Sequence, residues 1–262
     1  MDEGLAPGVG VELRWRAAGP PDGPPVVLVH GLAGSLEDWA GALESLAGAG
    51  ARALAYDRRG YGGSSAPTPY TGTTVEEQAE DLAALLAALG VGRAVVAGCD
   101  MGALVALDLA KRHPARVRGL VLAAPPLYAF VPEAAEVLAG ERERLQEGVR
   151  SGGPGDAVAA WLGPRADPAA VDRARGSALA FFADYAGQAT WPVTRRELRG
   201  YALPAVVVTA PGDPARVVAA ADRLAELLPQ AWRAADGDPV GAAARLLGPP
   251  GAGTGQGAGG EG

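Results

Sequence analysis

Two hydrophobic patterns alternate along the chain, and the alternation predicts the fold class. Residues 73–90 place apolar side chains on one helical face behind a threonine and early acidic residues, which is typical of a capped amphipathic helix. Helical patterns of this kind also cover 35–50, 101–114 and 214–229. Short continuous apolar runs lie between them and predict buried strands at 24–31, 51–57, 93–98, 118–126, 203–210 and 230–235.

The order of these elements predicts an α/β protein with a mostly parallel, doubly wound sheet. Residues 10–15 alternate apolar and polar positions with period two, which predicts a strand at an antiparallel edge. The alternation of strands and helices stops over 127–200, where the sequence shows helical patterns interrupted by Gly and Pro. We therefore predict a core in two parts, 1–126 and 201–247, an inserted helical cap over 127–200, and a disordered tail over 248–262.

Charge and composition exclude several classes of function. The 262 residues carry a net charge of −7 and no cluster of Lys and Arg, so we expect no nucleic-acid partner. The single cysteine, Cys99, excludes an intramolecular disulfide and a Cys-rich metal site. The N-terminal segment MDEGLAPGVG lacks the apolar stretch of a secretory signal, and no apolar run reaches the ~20 residues that span a bilayer. We therefore expect a cytoplasmic protein without membrane contact, metal or cofactor, whose oligomeric state stays open.

The segment GCDMG (98–102) joins a predicted strand directly to a predicted helix. The small residues Gly98 and Gly102 permit a sharp turn that lifts the central side chain, Asp100, into a cleft. By itself, the segment also fits an aspartate that only caps a helix.

Four segments, in this order, resemble motifs of the α/β-hydrolase superfamily: VHGLAGS (29–35), YDRRGYGGS (56–64), GCDMG (98–102) and GDP (212–214). The resemblance extends over residues 10–247 and implies an α/β-hydrolase fold with a helical cap. It is nearest to the branch of haloalkane dehalogenases and epoxide hydrolases, which carry Asp at the turn. It implies that Asp100 is a nucleophile, that Leu32 and Met101 supply oxyanion-hole amides, and that Asp213 is the triad acid.

The chain departs from this family where the water-activating histidine is expected. That place, after the last predicted strand, reads AADGDPVG (234–241), and Asp238 stands at the histidine position. The chain has two histidines. We expect His30 to be structural within the oxyanion loop and His113 to interact with the C-terminal end of its helix.

If the alignment holds, the carboxylates of Asp100, Asp213 and Asp238 converge on one cleft. Like charges at short range raise each other's pKa, so at least one of the three would keep a proton near neutral pH. Such a set supplies a general acid beside a general base. The alternative is that Asp238 points to solvent from a turn, because DGDP is strong turn chemistry.

Aromatic residues concentrate in the predicted cap, and an aromatic cap over an elbow suggests a pocket for an apolar small molecule. We expect Cys99 to be a buried, inert neighbour of the elbow. The tyrosines of the cap resemble those with which epoxide hydrolases polarise the ring oxygen. The predicted pocket residues are His30, Gly31, Tyr128, Phe130, Trp161, Phe182, Tyr185 and Trp191.

Three functions follow from these observations. The first is a non-hydrolytic enzyme, such as a cyclase, isomerase, lyase or dehydratase, which uses its aspartates as acid and base on a hydrophobic metabolite. The second is an Asp-nucleophile hydrolase of epoxides or alkyl halides. The third is a non-catalytic protein that binds a small molecule. Simple ester hydrolysis is disfavoured in each case, because a carboxylate is a poor nucleophile for esters.

Overall fold

The computed structural model describes residues 1–248, which contain one eight-stranded sheet with the order β1-β2-β4-β3-β5-β6-β7-β8. The first three strands in this order pair antiparallel, and all the others pair parallel. The strands are β1 (Asp2–Pro7), β2 (Glu12–Ala18), β3 (Pro25–Val29), β4 (Arg52–Tyr56), β5 (Ala94–Cys99), β6 (Val117–Ala123), β7 (Ala205–Val208) and β8 (Ala231–Ala234).

Helices cover both faces of this sheet. Two of them, α1 and α10, pack on one face, while α2, α3 and α9 pack on the other. Between β6 and β7 the chain forms helices α4 to α8 instead of strands. The helices are α1 (Ala40–Gly48), α2 (Val75–Ala88), α3 (Met101–Arg112), α4 (Ala135–Gly152), α5 (Pro154–Leu162), α6 (Pro168–Gly176), α7 (Ala178–Ala189), α8 (Arg195–Arg199), α9 (Ala215–Leu227) and α10 (Pro239–Leu247).

The central strands are buried on both faces, which explains their continuous apolar sequences. In β5, the side chains of Val95 and Val96 point to opposite faces and are both fully buried. The predicted α/β-hydrolase fold with a helical cap is therefore confirmed. The division of the chain into domains stays a prediction, and the predicted tail, apart from Gly248, lies outside the described residues.

Two elements differ from the sequence prediction. Strand β1 was not expected, because it has one buried apolar side chain, Ala6, and leaves Leu5 exposed, so it shows no periodicity. All six of its residues pair with β2. Helix α10 was also missed, because its buried face consists of the small residues Ala242 and Ala243 behind a strong turn sequence.

Candidate functional site

Asp100 lies at a strained turn between β5 and α3. Its backbone has φ +51° and ψ −121°, a conformation that a residue with a side chain adopts only when its surroundings enforce it. The flanking glycines permit this turn. A Cβ at Gly98 would lie 2.1 Å from the carbonyl oxygen of Gly102, and a Cβ at Gly102 would lie 2.3 Å from that of Val29. The segment is therefore an elbow that presents Asp100, as the sequence predicts.

The carboxylate of Asp100 is held by backbone amides. The N–H of Leu32 donates to Oδ2 at 2.9 Å. Burial raises the pKa of Asp100 above its usual range, while the Leu32 and Met101 amides and the Arg58 charge oppose this shift without cancelling it. The two amides that the family resemblance implied thus both act on Asp100.

Gly31 allows the oxyanion loop to approach the elbow closely. A Cβ at this position would lie 2.9 Å from the Cβ of Asp100 and 3.1 Å from its Oδ2. A larger residue would push Leu32 away from the carboxylate. Gly31 therefore shapes the surroundings of Asp100, although we predicted it as a pocket residue.

Asp213 lies in the loop after β7, half-buried, and its Oδ2 accepts a hydrogen bond of 2.7 Å from the Ala210 amide. Its charge reaches the elbow. The pKa of the Cys99 thiol is raised to about 12 by burial and by the charges of Asp100 and Asp213. Cys99 is therefore a neutral, unreactive thiol near pH 7.

Asp238 is exposed and forms the N-cap of α10. Its Oδ1 accepts a hydrogen bond of 2.8 Å from the Gly241 amide, and its own amide donates to Asp236. This geometry corresponds to the alternative in which Asp238 belongs to a turn. The expectation of three converging carboxylates needs correction at this residue, since a helix cap and not the elbow engages its carboxylate.

Neither histidine is placed to activate water. In His30, Nε2 accepts from the Arg58 amide at 3.0 Å, so Nδ1 carries the proton and donates to the Gly31 carbonyl at 2.9 Å. Burial lowers the pKa of His30 well below its usual value, which keeps the ring neutral. His113 caps the far end of α3 and contacts Glu80, about 18 Å along the helix from the elbow at 1.5 Å per residue.

An apolar cavity of about 550 Å³ lies between the helices that follow β6 and the core. Three of the predicted pocket residues, Tyr128, Tyr185 and Trp191, line it. Burial raises the pKa of Tyr128 to about 12, and the negative charge of Asp100 contributes to this rise. Tyr128 therefore connects the cavity electrostatically to Asp100, which does not itself line the cavity.

The other predicted pocket residues are not among those that line this cavity. Trp161 and Phe182 pack edge-on against Phe181, with ring centroids 5.0 and 5.2 Å from it, and so build the interior of the helical segment. Phe130 lies under the guanidinium of Arg195. Like Gly31, His30 belongs to the loop beside Asp100. Helical periodicity does not predict where these aromatic side chains point, because the helices are short and several of their aromatic residues share one small core.

A second polar group above the elbow joins α4 to α9. Arg216 donates to Oε2 of Glu141 at 3.1 Å, and Tyr185 donates to Oε1 of the same carboxylate at 3.1 Å. The positive charge of Arg216 also acts on Tyr128 and opposes the rise in its pKa. Arg216 and Glu141 are not predicted from the sequence, although an arginine three residues after Asp213 is a visible signal.

A buried polar cluster that the sequence does not predict connects the loop after β4 to α2 and α7. It consists of Arg58, Gln78, Tyr61 and Asp184, with Arg58 1% and Asp184 0% exposed. The doubled arginine in YDRRG and the lone acid in the apolar segment FFADY were the available signals. A lone buried acid on an apolar helix indicates a cationic partner elsewhere in the fold.

Within residues 1–248, no group of His, Cys, Asp and Glu has the arrangement of a metal site. No helix of this part of the chain is long and apolar enough to cross a membrane.

Known proteins resemble this chain in part of its sequence and in nearly all of its fold. Residues 24–153 match the family described as alpha/beta hydrolase fold. The chain is 38% identical over 117 residues to epoxide hydrolase A of Mycobacterium tuberculosis (strain ATCC 25618 / H37Rv), a match that covers 45% of this chain and 36% of that protein. It is 39% identical over 121 residues to a non-heme chloroperoxidase of Streptomyces lividans, covering 45% of this chain and 43% of that protein. The matched part is therefore well under two thirds of either relative.

The solved structure of a hydrolase from Pseudomonas aeruginosa PA01 is similar to this structure with a TM-score of 0.76 and 25% sequence identity. The similarity covers 94% of this chain and 98% of that one. Since this likeness extends over nearly the whole chain and the family match includes the elbow, the chain belongs to the α/β-hydrolase superfamily.

Proposed function

We propose that this protein is an enzyme in which Asp100 attacks a strained or activated carbon of an apolar small molecule, with epoxides as the first substrate class and alkyl halides as the second. The observation that carries the proposal is a carboxylate, not a hydroxyl, at the strained elbow, held by the Leu32 amide at 2.9 Å. The similarity to an epoxide hydrolase supports the choice of epoxides.

The first step would form an ester between the protein and the substrate. A carboxylate oxygen of Asp100 bonds to a ring carbon, the bond from that carbon to the ring oxygen breaks, and the ring oxygen takes the electron pair. That oxygen then receives a proton from a phenol. With an alkyl halide, halide leaves instead and no proton is needed.

Tyr128 is the proposed proton donor. It lines the apolar cavity, and with a pKa raised to about 12 it keeps its proton near pH 7. The positive charge of Arg216 favours the phenolate that a proton transfer would leave. Tyr185 is the second phenol of the cavity, but its hydroxyl donates to Glu141.

The second step, hydrolysis of the ester, lacks the family's imidazole base. Both ring nitrogens of His30 are engaged, and His113 lies at the far end of α3. We therefore infer that ester formation is faster than ester hydrolysis, so that the covalent intermediate accumulates. Slow turnover, not absence of chemistry, is the expected kinetic signature.

The non-hydrolytic function expected from the sequence needs a proton partner for Asp100. The sequence offers Asp238 or Asp213 for this role, and the use of Asp238 as a helix cap removes support from the first of these pairings. A cyclase, isomerase or lyase thus remains the second candidate, favoured by one observation: the chain has no histidine after β8.

Intact-protein mass spectrometry after incubation with a panel of apolar epoxides tests the proposal. The wild type should gain the full mass of one epoxide, since ring opening expels no group, and peptide mapping should locate the adduct on Asp100. Asp100→Asn should remain unmodified. Cys99→Ser is the matched control, because Cys99 is the only thiol of the chain and adjoins Asp100, and its raised pKa predicts that the adduct persists in this variant.

An adduct that persists in Cys99→Ser and disappears in Asp100→Asn supports the nucleophile. An adduct that follows Cys99, or none with any epoxide or halide, refutes the proposal and shifts weight to acid–base chemistry or to binding alone. Release of diol by the wild type at a rate equal to adduct formation would refute the inference that hydrolysis is slow.

A further inference from the structure

The peptide unit between Gly31 and Leu32 is held at both of its polar ends. Its N–H, from Leu32, donates to Oδ2 of Asp100 at 2.9 Å. Its carbonyl, from Gly31, accepts from Nη2 of Arg58 at 2.8 Å and from Nδ1 of His30 at 2.9 Å. Because a trans peptide is planar and directs its C=O and N–H to opposite sides, fixing the carbonyl also fixes the direction of the amide.

Arg58 is itself fixed by every arm of its guanidinium. Nε donates to the His30 carbonyl at 2.9 Å, and Nη1 donates to Oε1 of Gln78 and Oδ2 of Asp184, both at 2.5 Å. The side chain is 1% exposed. A guanidinium with this many acceptors has one available orientation, which a flexible ammonium group would lack.

Asp184 connects this arrangement to α7. Besides Arg58, its carboxylate accepts from the Tyr61 hydroxyl at 2.8 Å and from the Gln78 amide at 2.5 Å. The path therefore runs from α7 through Asp184 and Arg58 to the Gly31 carbonyl, and from there to the amide that touches Asp100.

We propose that Arg58 is a positioning residue, which holds the Gly31 carbonyl so that the Leu32 amide faces Asp100, and that Asp184 of α7 sets the orientation of Arg58. The cap segment and the oxyanion amide are thereby one mechanical unit. A cation on the carbonyl also polarises the peptide and strengthens its N–H as a donor.

The neighbouring Arg59 provides a matched control within the same motif. It is equally buried and forms a similar ion pair, with hydrogen bonds of 2.6 and 2.8 Å to Asp81. Its other contacts are an ion pair with Glu77 and a hydrogen bond to the carbonyl of Val9, neither of which involves the Gly31 carbonyl. Substitution of Arg59 thus removes a buried ion pair without touching the Gly31 carbonyl.

Amide hydrogen exchange of Leu32 tests the proposal in the full-length protein labelled with ¹⁵N-leucine. Leu36 serves as an internal reference, since its amide also donates to a loop aspartate, Asp57, at 2.8 Å. In Arg58→Lys and in the double variant Arg58→Met/Asp184→Asn, exchange at Leu32 should rise about tenfold relative to Leu36, as expected for loss of one hydrogen bond. Arg59→Lys should leave the ratio unchanged.

A Leu32 to Leu36 ratio within about twofold of wild type in both variants would overturn the proposal and leave Arg58 as a structural ion pair. The double variant guards against misfolding, because it leaves no buried charge unpaired. The proposal deepens the proposed function but does not need its reaction. If the wild type forms no adduct, the proposed function fails and the exchange ratio still decides the role of Arg58. If adducts form, the rate constant of their formation should fall in the same two variants.

Discussion

Removing one partner of the Arg58–Asp184 ion pair should destabilise the protein more than removing both. The two side chains are 1% and 0% exposed, so the charge left by Arg58→Met or Asp184→Asn has no access to water. Breaking a buried pair on one side costs about 3–5 kcal/mol. This is a fifth or more of a total stability of about 5–15 kcal/mol, so each single variant is expected to be clearly destabilised.

The double variant Arg58→Met/Asp184→Asn leaves no unpaired charge. Its main loss is the pair of hydrogen bonds from Arg58 to the His30 and Gly31 carbonyls. At about 1 kcal/mol each, with a similar allowance for repacking, the double variant should cost about 2–4 kcal/mol. The singles sum to about 6–10 kcal/mol, so the double-mutant cycle should give a coupling of at least about 2 kcal/mol.

Urea unfolding at pH 7, followed by fluorescence of the five tryptophans, measures all four free energies of unfolding. The exposed pair Arg150–Glu147, with side chains 66% and 67% exposed, provides the scale, because such a pair contributes about 0–1 kcal/mol. A coupling for Arg58–Asp184 no larger than that of the exposed pair would refute the reasoning, since it would mean that water reaches both groups.

Three further predictions follow from the site. The rate of adduct formation should rise with pH through a midpoint above the ordinary aspartate value of about 4, because burial raises the pKa of Asp100 and only the ionised carboxylate attacks. A midpoint below about 4 in the pH–rate profile would contradict this prediction. Asp238→Ala should lower the free energy of unfolding in urea by about 1 kcal/mol, because α10 loses its N-cap, and should leave the adduct yield unchanged. Loss of the adduct in this variant would show that Asp238 takes part in the reaction. His30 stays neutral in the folded protein, so below pH ~6.5 the unfolded chain binds one more proton at this residue and the free energy of unfolding falls by at most about 1.4 kcal/mol per pH unit. His30→Gln should lack this contribution when the free energy of unfolding is measured against pH, and equal slopes in the variant and the wild type would contradict the prediction.

The sequence predicted the parts of the fold and site that depend on short segments. The parallel strands were visible because burial on both faces makes them continuously apolar, and the elbow was visible because Gly98 and Gly102 mark a sharp turn around Asp100. These signals are local, so one sequence is enough to detect them. Strand β1 is not predicted from the sequence, because pairing with β2 and not burial of its own side chains stabilises it.

The parts that could not be predicted depend on residues that are distant along the chain. Arg58 meets Asp184, 126 positions away, and neither neighbourhood specifies the other. Whether the Asp238 carboxylate faces the site or caps a helix depends on whether a helix follows it, and the small residues of α10 predict that helix only weakly. The direction of Trp161 depended on how the segment fills its own interior around Phe181.

The same buried ion pair bears on how a substrate reaches the cavity. Helix α7 is tied to the core by the fully buried Arg58–Asp184 pair. The pairs that tie α6 (Arg173–Asp38, side chains 36% and 42% exposed) and α4 (Arg216–Glu141, 25% and 14% exposed) have more contact with water. Solvated pairs separate at a cost of about 0–1 kcal/mol, far less than a buried one. As judged by these ion pairs, α7 is the most firmly held wall of the cavity, so a substrate that enters beside α4 leaves the oxyanion amide in place.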